Sequence, residues 1–453
     1  MSTVAAISTP DAPGGIAVIR ISGEQAVDVA EKIFTPVSGK KVSEMPGYTC
    51  AYGHAHDADE IIDDCILTVF KAPHSYTGED TAEISCHGGL FVTKKILRAA
   101  LKYGAENAPA GEFTKRAYLN GKLDLTQAEA VMDIISARGE RELKMAENLR
   151  SGAAFRKAEK CSSRLMKLLG DLAAWADYPE EDIPEVEPEY LISELDSIGD
   201  ELASLVKNYD CGRILRQGIA SAIVGRPNVG KSTLFNCLSG CERSIVTDIA
   251  GTTRDVVEES VRLGDITLRL SDTAGIRETE DMIEGIGVSI AEKLIGESEL
   301  IIAVFDGNCP LTEDDAKLLK KINNKKCIAV INKSDLGQNI DIASIKENIQ
   351  HIVYLSAKEN DGVDKLRAAV EDIFSIDENA VSAVTAANER QKNCIDSSLK
   401  CVRDASAALK NGEFLDAVNV LIDEAEQFLL ELTGKKVTDS VVNEVFSRFC
   451  VGK

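Results

Sequence analysis

The run Gly225-Arg-Pro-Asn-Val-Gly230-Lys231-Ser232 constrains this chain more than any other stretch. An apolar segment of strand length, Ile219–Val224, precedes it, and Thr233-Leu-Phe-Asn-Cys-Leu-Ser after it opens like a helix. Strand, glycine-bearing loop and helix in that order read as a phosphate-binding loop. The glycines let several backbone N–H groups turn toward one anion, and the helix N-terminus adds the positive end of its dipole. Lys231 is placed to reach the β- and γ-phosphates, and the Ser232 hydroxyl to ligate Mg²⁺. Asn228, Val229, Gly230 and Thr233 complete the candidate nucleotide contacts here.

Four further elements follow in order. Thr247, Asp248, Ile249, Ala250, Gly251, Thr252 and Thr253 form a polar loop in which one threonine can complete the Mg²⁺ shell and sense the γ-phosphate. Asp272-Thr273-Ala274-Gly275 follows the expected strand Ile266–Ser271; its aspartate would hold Mg²⁺ through water, and the Gly275 N–H can meet the γ-phosphate. Asn332-Lys333-Ser334-Asp335 follows the expected strand Cys327–Ile331. A carboxylate placed like Asp335 accepts both N1–H and the exocyclic amino group of guanine, a donor pair that adenine lacks, so the base is guanine. Ser356, Ala357 and Lys358, after the expected strand Ile352–Leu355, can back that base with a main-chain N–H.

The chain has 453 residues, room for two to four domains. With 44% apolar and 28% charged residues it is globular in composition. No apolar run approaches the length of a membrane span, so no integral membrane association is expected. The N-terminus lacks a basic region followed by an apolar core, so no secretory signal is expected either. Twelve cysteines without regular spacing fit a reducing, cytoplasmic setting. Cys237 and Cys241 read as core residues, and His54-Ala-His56 as a surface turn, rather than as metal sites. The net charge of −23 argues against nucleic-acid binding through a broad basic field. Any RNA contact needs a local basic patch or a partner that supplies the positive charge.

The expected fold is multidomain. Residues 1–120 read as an α+β domain, with strands at Ile16–Ile21, Cys65–Phe70 and Ala82–His87 and a helix over Leu90–Lys102. Residues 121–214 turn helical, with Leu165, Leu168, Leu169 and Leu172 and then Leu191, Leu195, Ile198 and Leu202 at helical spacing. The proline-bearing stretch 178–188 between them reads as a connector. Residues 215–376 form the α/β GTPase, and helices return at Asn388–Asn411 and Phe414–Leu432 within 377–453. The GTPase is expected as an insertion in an all-α domain, because the last segment alone would make a thin core.

Small GTPases place a water-orienting glutamine directly after the glycine of the Asp-x-x-Gly motif. Here that position is Ile276, which cannot hydrogen-bond. Glu278, Glu280, Asp281 and Glu284 are the nearby acidic candidates. No arginine finger stands out beyond Arg254 and Arg277, and a monovalent cation can supply the missing charge, with the neutral oxygen of Asn228 suited to it. At the other end, Phe446-Ser-Arg-Phe-Cys450-Val-Gly-Lys453 does not fit a prenylation signal, and a lone cysteine such as Cys450 reads first as a buried structural residue.

Taken together, the GTPase motifs, Tyr76-Thr-Gly-Glu79-Asp, Arg116-Ala-Tyr-Leu-Asn-Gly-Lys122 and the terminal Phe-Cys-Val-Gly-Lys resemble the tRNA uridine-modification GTPase family, MnmE or TrmE, over essentially the whole chain. The resemblance implies a homodimer that hydrolyses GTP and pairs with a flavin-dependent MnmG (GidA) type protein as a heterotetramer. It implies modification of C5 of the wobble uridine of certain tRNAs with a one-carbon unit from 5-formyltetrahydrofolate or a related tetrahydrofolate. It implies folate contacts at Arg20, Glu79, Lys122 and Lys453, with Cys450 near them as a catalytic candidate. It further implies Mg²⁺ at Ser232 and Thr253, K⁺ at Asn228, Thr247, Ile249 and Thr252, and Glu284 as the water-orienting acid. The competing reading is a regulatory GTPase that binds RNA or ribosomes without modifying tRNA; a third is a folate-binding scaffold whose GTPase drives assembly.

Overall fold

The computed structural model describes residues 1–177, 187–241, 259–270, 294–323, 325–384, 386 and 388–453. The chain divides into two compact units: Met1–Met132 with Arg150–Leu202 and Ser397–Lys453, and Asp133–Leu149 with Ala203–Asp396.

The first unit opens with a seven-stranded sheet: β1 Val4–Ile7, β2 Ile16–Ser22, β3 Phe34–Pro36, β4 Thr49–Asp57, β5 Glu60–Phe70, β6 Thr81–His87 and β7 Glu106–Asn107, in the order β3-β4-β5-β6-β2-β1-β7. Only β1 and β7 run parallel. Alternation sorts the strands' two faces. Ala17, Ile19 and Ile21 of β2 pack with Leu67, Val69 and Ile84 beneath helices α1 (Ala26–Ile33) and α2 (Leu90–Lys102). The opposite face presents Arg20 and Ser22 of β2, and near it Val4 and Ala6 pack on Phe113 of α3 (Glu112–Leu119). His54 and His56 lie within β4, not in a turn: His54 Nδ1 pairs with Asp64 at 2.7 Å and His56 Nε2 meets Thr35 Oγ1 at 3.0 Å. Cross-strand partners thus hold an unpromising Tyr-Gly-His-Ala-His run in extended form.

Helices from before residue 203 and after residue 396 pack together in the same unit. Helix Ala153–Asp177 lies against Leu415–Thr433, where Ser162 Oγ donates to the buried Glu426 (2.8 Å). Helix Pro188–Val206 meets Glu389–Lys410 through Asp196, which accepts from Ser406 Oγ (2.6 Å) and Lys410 Nζ (2.9 Å). The last helix, Asp439–Ser447, starts at Thr438, whose hydroxyl accepts from the Val441 N–H. Its apolar stripe, Val442 and Phe446 followed by Phe449, buries against Leu125 and Ala128. Each such aromatic ring contributes roughly 2 kcal/mol by burial.

The second unit is built on six strands: β8 Ile219–Val224, β9 Glu259–Leu263, β10 Ile266–Leu270, β11 Leu300–Asp306, β12 Cys327–Asn332 and β13 His351–Tyr354, in the order β13-β12-β11-β8-β10-β9. Five run parallel and β9 pairs antiparallel with β10. Every residue of β11 and β12 is buried, as a parallel sheet covered on both faces requires. The helix Glu313–Ile322 begins with a reciprocal cap between Thr312 and Asp315. Cys237 is only half-buried, with its Sγ 3.1 Å from Asn360 Oδ1, so it is not the core residue its helical setting foretold. Among the described residues no helix is long and apolar enough to cross a membrane, and no cluster of side chains could hold a metal.

Candidate functional site

The phosphate loop leaves the carboxyl end of β8 and enters α4 (Lys231–Cys241), the place where open parallel sheets bind ligands. Its curl needs left-handed backbone at Asn228 (φ 64°) and Gly230 (φ 97°). A β-carbon on Gly230 would collide with the side-chain amide of Asn332, so glycine is required there twice over. Ser232 and Thr233 are exposed on the first turn of α4. Lys231 Nζ donates to the Gly225 and Arg226 carbonyls, both at 2.9 Å, which holds the ammonium over the loop. Burial keeps this lysine below its usual pKa range.

Asn332 ties this loop to the base-reading segments. Its Nδ2 donates to the Val229 carbonyl (2.8 Å), and its Oδ1 accepts from the Ala357 N–H (3.0 Å). Lys333, left-handed at φ 60°, sends Nζ to the Asn228 carbonyl (3.0 Å) and to Asp306 Oδ2 (2.7 Å). Burial pushes Asp306 up, but the Lys333 ammonium and the Asn308 N–H outweigh it and hold the carboxyl below its usual range. Asp335 is exposed and accepts from Ser356 Oγ (2.6 Å). That hydrogen bond, with Lys358 and Lys333 nearby, lowers its pKa, so a carboxylate acceptor faces solvent at neutral pH. Residues 228–233, 332–335 and 356–358 therefore gather at the carboxyl ends of β8, β12 and β13. Thr247–Thr253, Asp272–Gly275 and Glu284, with the alternatives Glu278, Glu280 and Asp281, lie outside the described residues. Sequence reasoning missed Asp306, which ends β11 beside Asn332 in register.

A second set assembles in the first unit. Arg20 Nε donates to Glu83 (2.7 Å) across β2 and β6, and its guanidinium lies 5.6 Å from the Tyr76 ring centre and 5.3 Å from that of Phe113. Glu79 Oε2 accepts from Ser22 Oγ (2.9 Å) and from Arg116 Nη1 (3.0 Å). Lys122 Nζ donates to the Pro73 carbonyl (3.1 Å). The chain's end docks here too: the Lys453 carbonyl accepts from the Phe113 N–H (3.1 Å), and that of Cys450 from the Gly111 N–H (3.3 Å). Gly452, at φ 93°, lies so close to the Ile7 carbonyl that no β-carbon fits. Each of Arg20, Glu79, Lys122 and Lys453 thus has a partner on α3 or in the segment 71–80. The Cys450 thiol is exposed, which corrects the expectation of a buried structural cysteine: the apolar stripe before it fills the core and leaves the turn outside.

The family model "GTP-binding protein TrmE N-terminus" matches residues 3–122, and "MnmE helical domain" matches 125–450. The tRNA modification GTPase MnmE of Carboxydothermus hydrogenoformans is 41% identical, covering 100% of this chain and 99% of its own. Those of Acetivibrio thermocellus (40% identical, covering 100% and 99%) and Bacillus subtilis (38%, covering 100% of both) match over the same extent. With both family models matched along their course and relatives of this identity aligned end to end, the chain belongs to the MnmE family of tRNA modification GTPases.

Proposed function

We propose that this GTPase works as a homodimer with a flavin-dependent partner of the MnmG (GidA) type to modify C5 of the wobble uridine in certain tRNAs. The one-carbon unit comes from 5-formyltetrahydrofolate or a related tetrahydrofolate. The observation that carries the reading is the docking of Cys450–Lys453 against α3, the helix that also carries Phe113 and Arg116, the partners of Arg20 and Glu79. A GTPase without a modification role has no use for an exposed thiol held at such a place.

At the nucleotide site, Lys231 neutralises phosphate charge and Asp335 accepts from guanine. Ser232 and Thr253 would hold Mg²⁺, which would supply positive charge to the phosphates. Asn228 offers a neutral amide oxygen on an exposed loop, a donor suited to K⁺, with Thr247, Ile249 and Thr252 completing that set. Glu284 orients the attacking water. At the second site, the Glu79 carboxylate suits the adjacent amide and amino donors of a pterin edge, and Lys122 and Lys453 suit its anionic glutamate tail. Cys450 is the catalytic candidate near them.

The homodimer is supported by the open face of the first sheet. Tyr52 pairs in register with Ile66, Ile66 with Ser85, and Ser85 with Val18, so these residues share one face, with Ile16 two residues from Val18. Ile16 (71% exposed), Tyr52 (57%) and Ile66 (48%) form an apolar stripe there, of the kind a second copy covers. The acidic balance of the chain assigns most tRNA-phosphate contact to the partner.

Nucleoside analysis of tRNA from cells lacking the chain tests the proposal. Complementation with the wild type should restore the modified wobble uridine, and Cys450→Ser should not, while keeping a near-normal melting temperature. Wobble uridines unchanged by the deletion would favour the regulatory GTPase instead.

A further inference from the structure

We infer that Arg116 is a positioning residue for one-carbon binding: it fixes the Glu79 carboxylate so that Oε1 is left as the acceptor for a pterin edge. The inference rests on the folate reading of the Glu79 site given above. Arg116 is buried on α3, 2% exposed. Its Nε donates to Glu112 Oε1 (2.8 Å), and its Nη1 donates to Glu79 Oε2 at 3.0 Å, with Oε1 farther off at 3.4 Å. Ser22 Oγ also chooses Oε2, at 2.9 Å. Both short contacts to Glu79 therefore fall on one oxygen.

The rest of Glu79 is fixed as well. Its backbone N–H donates to Thr77 Oγ1 (3.2 Å), and its carbonyl accepts from Ser75 Oγ. Thr77 Oγ1 in turn lies 2.8 Å from Ser22 Oγ, closing the loop of contacts. A carboxylate held at its backbone and at one oxygen has a single orientation in which to meet a ligand. Ligand binding then costs little side-chain ordering.

Stability alone does not account for this arrangement. A buried guanidinium shared by two carboxylates loses solvation on folding, and well-packed apolar groups usually serve a core as well or better. The triad does secure one geometric property. Arg116 and Ser22 take Glu79 Oε2 at short range, and Oε1 stays the freer acceptor for the amide and amino donors of a pterin.

Calorimetric titration of the full chain with 5-formyltetrahydrofolate tests the inference, using wild type, Arg116→Gln, Arg116→Lys, Glu79→Gln and the double variant Arg116→Gln/Glu79→Gln, each with its melting temperature. Loss of a charged hydrogen bond should make Kd roughly 10- to 100-fold weaker in Arg116→Gln. Arg116→Lys keeps the charge but not the fork, and should recover part of that loss. In the Glu79→Gln background the Arg116 change should cost almost nothing further, because its effect runs through Glu79. A merely structural role predicts losses that add. Normal binding by Arg116→Gln beside a defective Glu79→Gln overturns the inference alone. Normal binding by Glu79→Gln, or none by the wild type, overturns the folate reading and the inference with it. Should Arg116→Gln melt early, Arg116→Lys decides: weakened folate binding at a wild-type melting temperature supports the role, and wild-type affinity refutes it.

Discussion

Asn332→Ala should uncouple the phosphate loop from the base-reading segments. Asn332 is 3% exposed and makes two hydrogen bonds, to the Val229 carbonyl at 2.8 Å and from the Ala357 N–H at 3.0 Å. Alanine removes both partners and leaves two backbone groups with nothing to replace them. An unsatisfied buried group costs about 1–3 kcal/mol, so the pair sets a range of about 2–6 kcal/mol. Exposed Asn228 and Lys358 lie next to the two orphaned groups and let water reach them, which places the loss near the lower end. The missing side chain also frees the loop that the Asn332 amide now presses against at Gly230. Nucleotide binding must then order that loop itself, and affinity should drop by roughly tenfold or more. Urea unfolding of the GTPase transition, run with and without GDP, gives the stability term, and nucleotide titration gives the affinity. Stability within about 0.5 kcal/mol of wild type, the level of an ordinary surface change, would refute the claim that Asn332 holds the two segments together.

Asp335→Asn should weaken GTP by roughly 100-fold and improve xanthosine triphosphate binding, since the amide offers a donor to a carbonyl at C2; unchanged preference in a competition assay would count against the base-reading role. GTP turnover should be faster in K⁺ than in Na⁺, and Asn228→Ala should remove most of that excess, measured by phosphate release; equal turnover of the wild type in both salts would rule the cation out, and an excess that persists in the variant would move it elsewhere. Glu426 is 1% exposed, and burial pushes its carboxyl above the ordinary value of 4.5. A group raised in the fold binds its proton more tightly than the unfolded chain does, so stability falls as pH rises from about 4.5 through the folded value. Glu426→Gln should flatten that slope and raise stability at pH 8, read by denaturant unfolding at several pH values.

What was legible in the sequence depended on where the determining contacts lie. β8 spans Ile219–Val224 as read, because a short apolar run followed by a glycine loop carries its own boundary. β5 extends over Glu60–Phe70, whereas the near-continuous apolar run that marks a strand starts only at Cys65, after Asp63 and Asp64. The Glu60–Asp64 half sets Ile61 and Ile62 among three carboxylates and is extended because β4 pairs with it, and pairing leaves no mark on local composition. β11 is a strong apolar run, Leu-Ile-Ile-Ala-Val-Phe, but no nucleotide motif follows it, so local sequence does not tie Asp306, the counter-ion of Lys333, to the site. Arg116 stood inside a recognised motif, yet its partner Glu79 is 37 residues away, and no spacing rule joins them. Motifs show which groups meet a ligand; the groups that hold them in place are found only once the chain has folded.

The two sites answer the chain's acidity in the same way. With a net charge of −23, free cations would be drawn to the many surface carboxylates. The cations near the ligands are instead clamped: Lys333 between Asp306 and a carbonyl, Arg226 beside Asp315 at 3.4 Å, and Arg116 between Glu79 and Glu112. Clamping spends part of each positive charge on the protein itself. Attraction for an anionic ligand must then come more from backbone N–H groups, helix termini and bound metal ions than from free side-chain charge. Such donors act at short range and fixed angle. They discriminate by shape and hydrogen-bond pattern, and they give little pull on a polyanion at a distance. An acidic chain can in this way select guanine nucleotide by its hydrogen-bond pattern, and on the reading proposed above the same kind of donor would select a pterin while a partner supplied the broad electrostatic capture of tRNA.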